Sequence, residues 1–401
     1  MKICILTTSR SAFASPHYTK EAGSLIQAGH SVVIIAPCPG GRDPSDPVAN
    51  YLGHRVIPLV VGEAGGRMRK LLRLPSLFRL AIREHCDVYE AMEPASLFVG
   101  VALKVATGRR LAYNSREDYP MSLAVNTHLR GLTGLLHAVF ARLEAILLLF
   151  VDHCFAVTAP MASRLRGRRR PSSLLMNLPL REFGSEISMS RASPSDPFGV
   201  IFTGYPTMPV AMSEMIEALA LLRGRGHDAS LTFLGCPPDH PAALEWLATT
   251  ARLSLEEWVH LLPEVAPREV ACHLAKAHCG SILYRPTGYT RRVVHVVKLY
   301  EYMACGLPIV ASNFPGLTKT IEAEECGVVA DPCSPTAIAD ALERLILDPE
   351  YAARLADNGR RAFLDRFSWE VVGLEYVSVM EGLGLQKKQL QGAGSSPSAR
   401  P

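Results

Sequence analysis

The sequence predicts an α/β protein made of two doubly wound, Rossmann-like domains, and three observations carry that expectation. Short, continuously apolar runs rich in Val, Ile and Leu alternate with segments of helical pattern, as in a parallel sheet covered on both faces. This alternation breaks at Arg181–Pro197, "REFGSEISMSRASPSDP", where Ser, Pro and charged residues gather. It then restarts at Phe198 and runs on to about residue 367.

In the first domain, residues 1–180, "KICILTT" reads as the opening strand, "YTKEAGSLIQAG" as a helix and "HSVVIIAP" as the next strand. "DVYEAM", "RRLAYNS", "DHCFAVT" and "SSLLMNLP" continue the series, with helical stretches between most of them. Residues 181–197 form the linker. The second domain, 198–367, offers strands in "FGVIFTG", "ASLTFLG", "EEWVHLLPEV", "CGSILYRP", "LPIVAS" and "CGVVADP". "MSEMIEALALLRGRG" and "SPTAIADALERLI" are two of its helices. Ser368 has the chemistry of an N-cap, and Glu370 would favour the first turn of the helix that follows, 368–385. The tail 386–401 has too few apolar residues to pack and is expected to be disordered. Open parallel sheets take ligands beyond the carboxyl ends of their strands, so two such domains would face each other across a cleft.

Composition narrows the function classes. The chain has 401 residues, 48% apolar and 20% charged, enough for two cores. A formal net charge of +4, with 7% aromatic residues and none interleaved with basic clusters, argues against a nucleic-acid platform. Ten cysteines lie scattered, several inside apolar runs, which fits reduced core thiols and a cytoplasmic location. The opening "MKICILTTSRS" reads as a strand rather than a signal peptide. The longest apolar region, Leu132–Val151, is interrupted by His137, Arg142 and Glu144 and does not reach the ~18 residues of a membrane span. Neither domain has a GxGxxG after a strand or a GxxxxGK[ST], so a conventional NAD or P-loop site is not expected.

The most specific stretch is "KLYEYMACGLPIVAS", Lys298–Ser312. Lys298 and Glu301 share one face of a helix at i, i+3 spacing. Gly306 suits the left-handed cap that ends the helix, and Pro308 prevents its continuation. This stretch, continued by "GVVADPCSPTAIADALERLILDPEYAARLADNGRRAFLDRFSWE", resembles retaining GT-B glycosyltransferases of family 4, in particular a subgroup marked by KLxEYMAxGxP. "HSVVIIAPC", "DVYEAMEPASL", "RLAYNSREDYP" and "LLMNLP" resemble the N-terminal landmarks of that family. The resemblance implies a GT-B fold: an N-terminal acceptor domain, a C-terminal nucleotide-sugar domain and a final helix crossing back to the first. It implies a UDP- or GDP-sugar co-substrate, no resident cofactor, and a glycan or lipid-linked acceptor. No divalent metal is expected, since cationic side chains and helix ends meet the diphosphate. It also implies that Glu301 accepts hydrogen bonds from the ribose hydroxyls, as an ionised carboxylate can do twice over. Gly204, Arg291, Arg292 and Tyr300 complete the donor side. Lys298, Arg116 and Glu117 are the candidate catalytic groups, with Glu93 a further acceptor-side candidate. No general base is assigned, because in this family the departing phosphate is thought to take the acceptor proton.

The sequence departs from the family in two places. Where many members carry an earlier glutamate eight residues before Glu301, this chain has Val293. The loop after the first strand of the second domain, "GYPTMPVAMSEM", lacks the usual Arg and Lys. Negative charge develops on the leaving diphosphate and needs a positive counterpart; Lys298, Arg285, Arg291 and Arg292 are the substitutes in reach. The departures keep two alternatives open, a non-catalytic GT-B protein that binds a nucleotide-sugar or a partner, and a nucleotide-sugar epimerase.

Three other segments admit two readings each. "GGRMRKLLRLPSLFRLAIREH", Gly65–His85, is either a basic amphipathic helix covering the sheet or a peripheral contact with anionic lipid. "RLRGRRRP", Arg164–Pro171, is a basic loop that could attract a lipid phosphate or nothing. "CHLAKAHC", Cys272–Cys279, suggests zinc, but residues seven apart on a helix are ~10 Å apart along its axis, too far for two sulfurs on one ion.

Overall fold

The structure is a computed structural model. It describes residues 1–8, 16–37, 55–59, 73–119, 133–168, 170–184, 196–206, 209–237, 239–287, 290–292 and 296–392. The chain folds as two compact units. One comprises Met1–Asn177 together with the last helix from Val372 on, and the other Leu178–Val371.

The first unit is a seven-stranded, all-parallel sheet. Its strands are β1 (Lys2–Leu6), β2 (Ser31–Pro37), β3 (Arg55–Leu59), β4 (Val88–Ala91), β5 (Arg110–Ser115), β6 (His153–Ala156) and β7 (Ser172–Leu174), in the order β3-β2-β1-β4-β5-β6-β7. Helices α1 (Pro16–Gln27), α2 (Leu74–Arg83), α3 (Pro94–Thr107), α4 (Thr133–Leu148) and α5 (Ala159–Leu165) connect them. Ile3, Ile5, Leu6, Tyr89, Tyr113 and Phe155 are fully buried. All six strands expected here are present. The seventh, β3, was not expected; Pro58 within it offers no N–H, and β3 lies at the sheet edge, where none is required. Within 65–85 the described helix is α2, which begins at Leu74, and Pro75 occupies its first turn, where its missing N–H has no helical partner to lose. Residues 65–72 lie outside the described residues.

The second unit is a six-stranded parallel sheet, β8 (Phe198–Thr203), β9 (Ala229–Leu234), β10 (Val259–Leu262), β11 (Cys279–Ile282), β12 (Ile309–Ser312) and β13 (Gly327–Ala330), in the order β10-β9-β8-β11-β12-β13. Its helices are α6 (Met212–Gly224), α7 (Pro241–Arg252), α8 (Pro267–Ala275), α9 (Val297–Cys305), α10 (Pro315–Ala323), α11 (Pro335–Leu347) and α12 (Pro349–Arg366), with a 3-10 turn at Thr290–Arg292. The last helix, α13 (Trp369–Gly392), continues past residue 385, where the sequence reading ended it, and 393–401 lie outside the described residues. Of the expected linker, 185–195 also lie outside. Arg181, at its start, is tied to the α13 N-terminus: its N–H donates to the Glu370 carboxylate at 3.0 Å and its Nε to Ser368 Oγ at 3.2 Å.

Both sheets begin at their centre and change direction there. β1 lies between β2 and β4, and β8 between β9 and β11. Such a switch opens a crevice beyond the strand ends of its own sheet: in the first unit it is flanked by the loops after β1 and β4, and in the second, separately, by those after β8 and β11.

A buried polar cluster joins α13 to the first sheet. Asn114 Nδ2 donates to Glu21 Oε1 at 3.0 Å and to Glu90 Oε1 at 2.8 Å, and Tyr376 Oη donates to Glu90 Oε2 at 2.6 Å. Both carboxylates are fully buried. Burial first, and the Glu21 charge second, push the Glu90 carboxyl up to about 7 from 4.5. A raised carboxyl contributes stability that is full below its unfolded value near 4.5 and is lost as pH rises through about 7. Glu90→Gln is therefore expected to lose less stability than the parent between about pH 5 and about pH 8, measured by urea denaturation at both pH values. Identical losses in the two proteins would contradict a proton held at Glu90.

Candidate functional site

The switch point of the second sheet is built from residues on β8, β9, β11 and α9. Gly204, directly after β8, has φ +116°, a region that side chains disfavour. Its N–H donates to Leu234 O at 2.8 Å. On one side Gly235 follows β9 with φ +107°, and a Cβ there would meet Gly204 backbone atoms at 3.1–3.3 Å. On the other side a Cβ on Gly204 itself would meet Lys298 Nζ at 3.3 Å. The Gly204 backbone is thus layered between a second glycine and an amino group.

Lys298 reaches this place from α9, the crossover between β11 and β12. Its Nζ lies 3.6 Å from the centre of the Phe202 ring and 5.3 Å from that of Tyr284. Phe202 stacks on Phe233 at 4.8 Å and meets Tyr284 edge-on at 5.8 Å, so the ammonium caps an aromatic cluster. Burial pushes the Lys298 amino group down to about 7, while the Glu301 charge pulls it back up in part. Glu301 is partly exposed on the same helix, one turn on.

Tyr302 fixes α9 against the sheet. It is fully buried, and its Oη accepts from the Thr203 N–H at 3.0 Å and donates toward Ser281 O at 3.3 Å. Its ring crosses β11 where Gly280 has no side chain; a Cβ there would stand 2.4 Å from the ring. The helix ends at Gly306 in the left-handed conformation, φ +63°, as its sequence suggests. Arg360 of α12 donates to the Ala304 carbonyl near that end. Phe202, Gly235, Tyr284 and Tyr302 were not identified from sequence. One signal was available: glycine inside the strand "CGSIL" marks a close approach.

The other expected site residues divide. Tyr300 leaves the donor set, because it is 1% exposed and its ring packs on Phe367 at 5.2 Å. Arg285 is engaged by two carboxylates, Glu214 at 2.7 Å and Glu245 at 3.3 Å, which neutralise it. Its N–H donates to Pro209 O, and the Val210–Tyr284 bridge beside it straps the loop after Gly204 to the loop after β11. Arg291 is exposed in the 3-10 turn. The Arg292 side chain and Val293 lie outside the described residues.

In the first unit, Arg116 and Glu117 follow β5. Arg116 is ion-paired with the buried Glu21 at 2.5 Å, and its Nε has no hydrogen-bond partner among the described residues. Glu117 is exposed. Glu93 faces inward: Thr7 Oγ1 and Thr8 Oγ1 each donate to it at 2.9 Å, and so does the Thr8 N–H. It holds the loop after β1 in place. Cys272 is exposed on α8 and Cys279 buried in β11, and among the described residues no cluster of three or more His, Cys, Asp or Glu could hold a metal ion.

Residues 17–180 match the family model "Glycosyl transferase 4-like domain", and residues 192–362 match "Glycosyl transferases group 1". Both models describe glycosyltransferases, and together they cover most of the chain. Among curated relatives, an MMP alpha-(1->4)-mannosyltransferase of Mycolicibacterium hassiacum is 33% identical over 33% of this chain and 31% of its own length. A GDP-mannose-dependent alpha-(1-6)-phosphatidylinositol monomannoside mannosyltransferase of Mycolicibacterium smegmatis is 30% identical over 42% of this chain and 44% of its own. The matches thus span less than half of either relative. Among solved structures, Anabaena HepE in complex with UDP and glucose superposes with TM-score 0.69 at 17% identity, covering 95% of this chain and 100% of that one. Sucrose-phosphate synthase of Thermosynechococcus elongatus gives TM-score 0.66 at 18% identity, covering 98% and 99%. At these identities the superpositions establish the fold.

A desolvated amino group costs stability wherever its protonated form must be buried. With a folded value near 7 against 10.5 for the free side chain, this penalty is full below about pH 7 and fades as pH rises toward 10.5. Lys298→Met, which keeps the aliphatic stem over Phe202, is expected to be more stable than the parent by about 1–3 kcal/mol near neutral pH. A denaturant midpoint equal to or below the parent's would show that the seat does not disfavour the charge.

Proposed function

We propose that the protein transfers a sugar, with retention, from a UDP- or GDP-sugar to a hydroxyl of a glycan or lipid-linked glycan. The observation that carries this reading is the Lys298 amino group held against the Gly204 backbone, one helical turn from Glu301 on the same crossover helix. Glu301 accepts the two ribose hydroxyls. The diphosphate lies along the Gly204 loop, where no Cβ blocks its approach, and Lys298 supplies the counter-charge. Arg291 and Arg292 add positive charge from the neighbouring turn. The bond between the anomeric carbon and the phosphate oxygen breaks as the acceptor oxygen bonds to that carbon on the same face. The acceptor proton passes to the departing phosphate, so no side chain is required as base. Glu117 is the acceptor-side candidate, and Arg116, held by Glu21, acts by positioning the loop after β5. The nucleotide dependence named for the mycobacterial relative, and the UDP and glucose held by HepE, support this class of donor.

One observation favours a second reading, a GT-B protein that binds a nucleotide-sugar without turning it over. Arg285 is neutralised by Glu214 and Glu245, which leaves the diphosphate fewer cations than the sequence offers. Purified protein incubated with UDP- and GDP-sugars separates the two. Slow nucleotide release that disappears in Lys298→Met supports the transferase, and no release with any donor supports the binding protein.

Two further outcomes are expected. Glu301→Ala should weaken nucleotide binding by at least about tenfold by calorimetry, since charge-assisted hydrogen bonds contribute ~1.5–3 kcal/mol each; unchanged affinity would reject the ribose contact. Because the bound diphosphate favours the protonated lysine, the free value near 7 implies that affinity falls as pH rises above about 7. That slope should approach about tenfold per pH unit and vanish in Lys298→Met; a pH-independent affinity in the parent would remove Lys298 from the phosphate contact.

A further inference from the structure

We infer that the outer face of α7, in the second unit, is an interface between two copies of the chain, packed antiparallel about a two-fold axis. α7 lies beside α6. Its Ala243, Trp246 and Thr250 turn inward and are buried. The opposite side carries Leu244, Leu247, Ala248 and Ala251, all exposed. The two leucines are 63% and 45% exposed. At 3.6 residues per turn the four fall within an arc of roughly 100°, and no polar side chain of α7 lies inside it. Such a stripe is the usual mark of a helix face that packs on another apolar element.

The pattern is complementary to itself, as a two-fold interface requires. An axis through Ala248 brings that residue against its own copy, and two small side chains on the axis let the helices approach closely. Leu244 then lies one residue, ~1.5 Å, from the level of Ala251 in the other copy. A large side chain thus meets a small one on both sides of the axis. The two Leu247 side chains stand two residues, ~3 Å, apart along the helices and close the middle of the contact.

The charges fit the same register. Glu245 and Arg252 stand on one flank of the stripe, the side toward α6, where Ser213 donates to Glu245 at 3.0 Å and Glu217 pairs with Arg252 at 2.8 Å. Their side chains are nonetheless 54% and 61% exposed. In an antiparallel pair like flanks face each other, so Arg252 of each copy comes within one residue, ~1.5 Å, of the level of Glu245 in the other. Two opposite-charge pairs then border the stripe, one toward each end, and favour this orientation. A parallel pair would turn the charged flank toward an uncharged one and lose both. One helix pair is a small contact, of the class that gives reversible association rather than an obligate dimer. Lys298 and Glu301 belong to another helix, α9, so substitutions in the stripe leave the donor residues in place.

The test is sedimentation velocity of the full-length protein from about 1 µM to about 1 mM. The weight-average sedimentation coefficient of the parent is expected to rise with concentration toward that of a dimer. Ala248→Glu keeps a good helix former at an exposed position but sets two carboxylates on the axis, so it should weaken association by at least about tenfold. Arg252→Glu alone should weaken it too. Arg252→Glu with Glu245→Arg should restore it, because the pairs re-form with their signs exchanged; Arg285 keeps Glu214 in that variant. Should Ala248→Glu lose its cooperative thermal transition, Leu247→Gln replaces it. A parent that stays monomeric throughout overturns the proposal. So does association left unchanged by Ala248→Glu, or by Leu247→Gln in its place, which would assign it to another surface. Association lost in Arg252→Glu and not restored by the charge exchange overturns the antiparallel pairing.

Discussion

Much of the second unit is arranged around one amino group resting on an aromatic ring. Lys298 Nζ lies 3.6 Å from the Phe202 ring centre, over the strand that starts the sheet. A side chain on Gly204 would crowd that amino group, and one on Gly235 would crowd the Gly204 backbone in turn. The helix bearing Lys298 comes this close because Gly280 lets the Tyr302 ring lie across β11. Three glycines on three segments thus serve one contact. A lysine placed merely to fill space would need none of them, since methionine or leucine would pack on Phe202 with less desolvation.

The first unit uses charge differently at its own switch point. There the carboxylates point inward and act as clamps. Glu93 collects two hydroxyls and an N–H from Thr7 and Thr8, fixing the turn after β1. Glu21 holds Arg116, and Glu90 receives the Tyr376 hydroxyl from α13. The result is a rim whose carboxylates are each engaged by neighbouring groups, while Glu21 Oε2 and Arg116 Nε find no partner among the described residues. Under the proposed function, recognition of an acceptor would fall to exposed groups such as Glu117 rather than to the buried acids.

The alternation of strands and helices was legible because parallel strands buried on both faces must be continuously apolar, and twelve of the thirteen strands announce themselves in this way. β3 did not, since an edge strand of five residues containing proline carries little of that signal. Within the site, the Gly306 cap followed from local sequence, whereas Lys298 and Glu301 were singled out by the resemblance of the motif that carries them. Phe202, Tyr284 and Tyr302 did not, because each looks like an ordinary core aromatic until the fold places it against Lys298 or β8. Tyr300 was assigned to the donor by its place in the motif, but the helical turn aims it at Phe367 instead. Arg285 misled for a related reason: the sequence shows a cation near the site but not the two carboxylates, from α6 and α7, that engage it.

The engagement of Arg285 by two carboxylates and the lowered proton affinity of Lys298 bear on the same charge balance. A fixed positive charge buried at the diphosphate site would weigh on the empty fold at every pH, as an unpaired buried charge does. Several such charges would also bind nucleotide diphosphate product tightly and slow its release. A single lysine titrating near neutrality avoids both costs. Burial favours the uncharged amine, and the ring faces of Phe202 and Tyr284 tolerate the charged form. Under the proposed function, an arriving diphosphate would recruit the proton by its negative charge, so the counter-charge would appear with the ligand and leave with it. Glu301, one turn away, moderates the same equilibrium, because its carboxylate raises the affinity of Lys298 for the proton. Motif spacing and proton balance are therefore coupled: replacing Glu301, the proposed ribose contact, would also alter the proton affinity of Lys298.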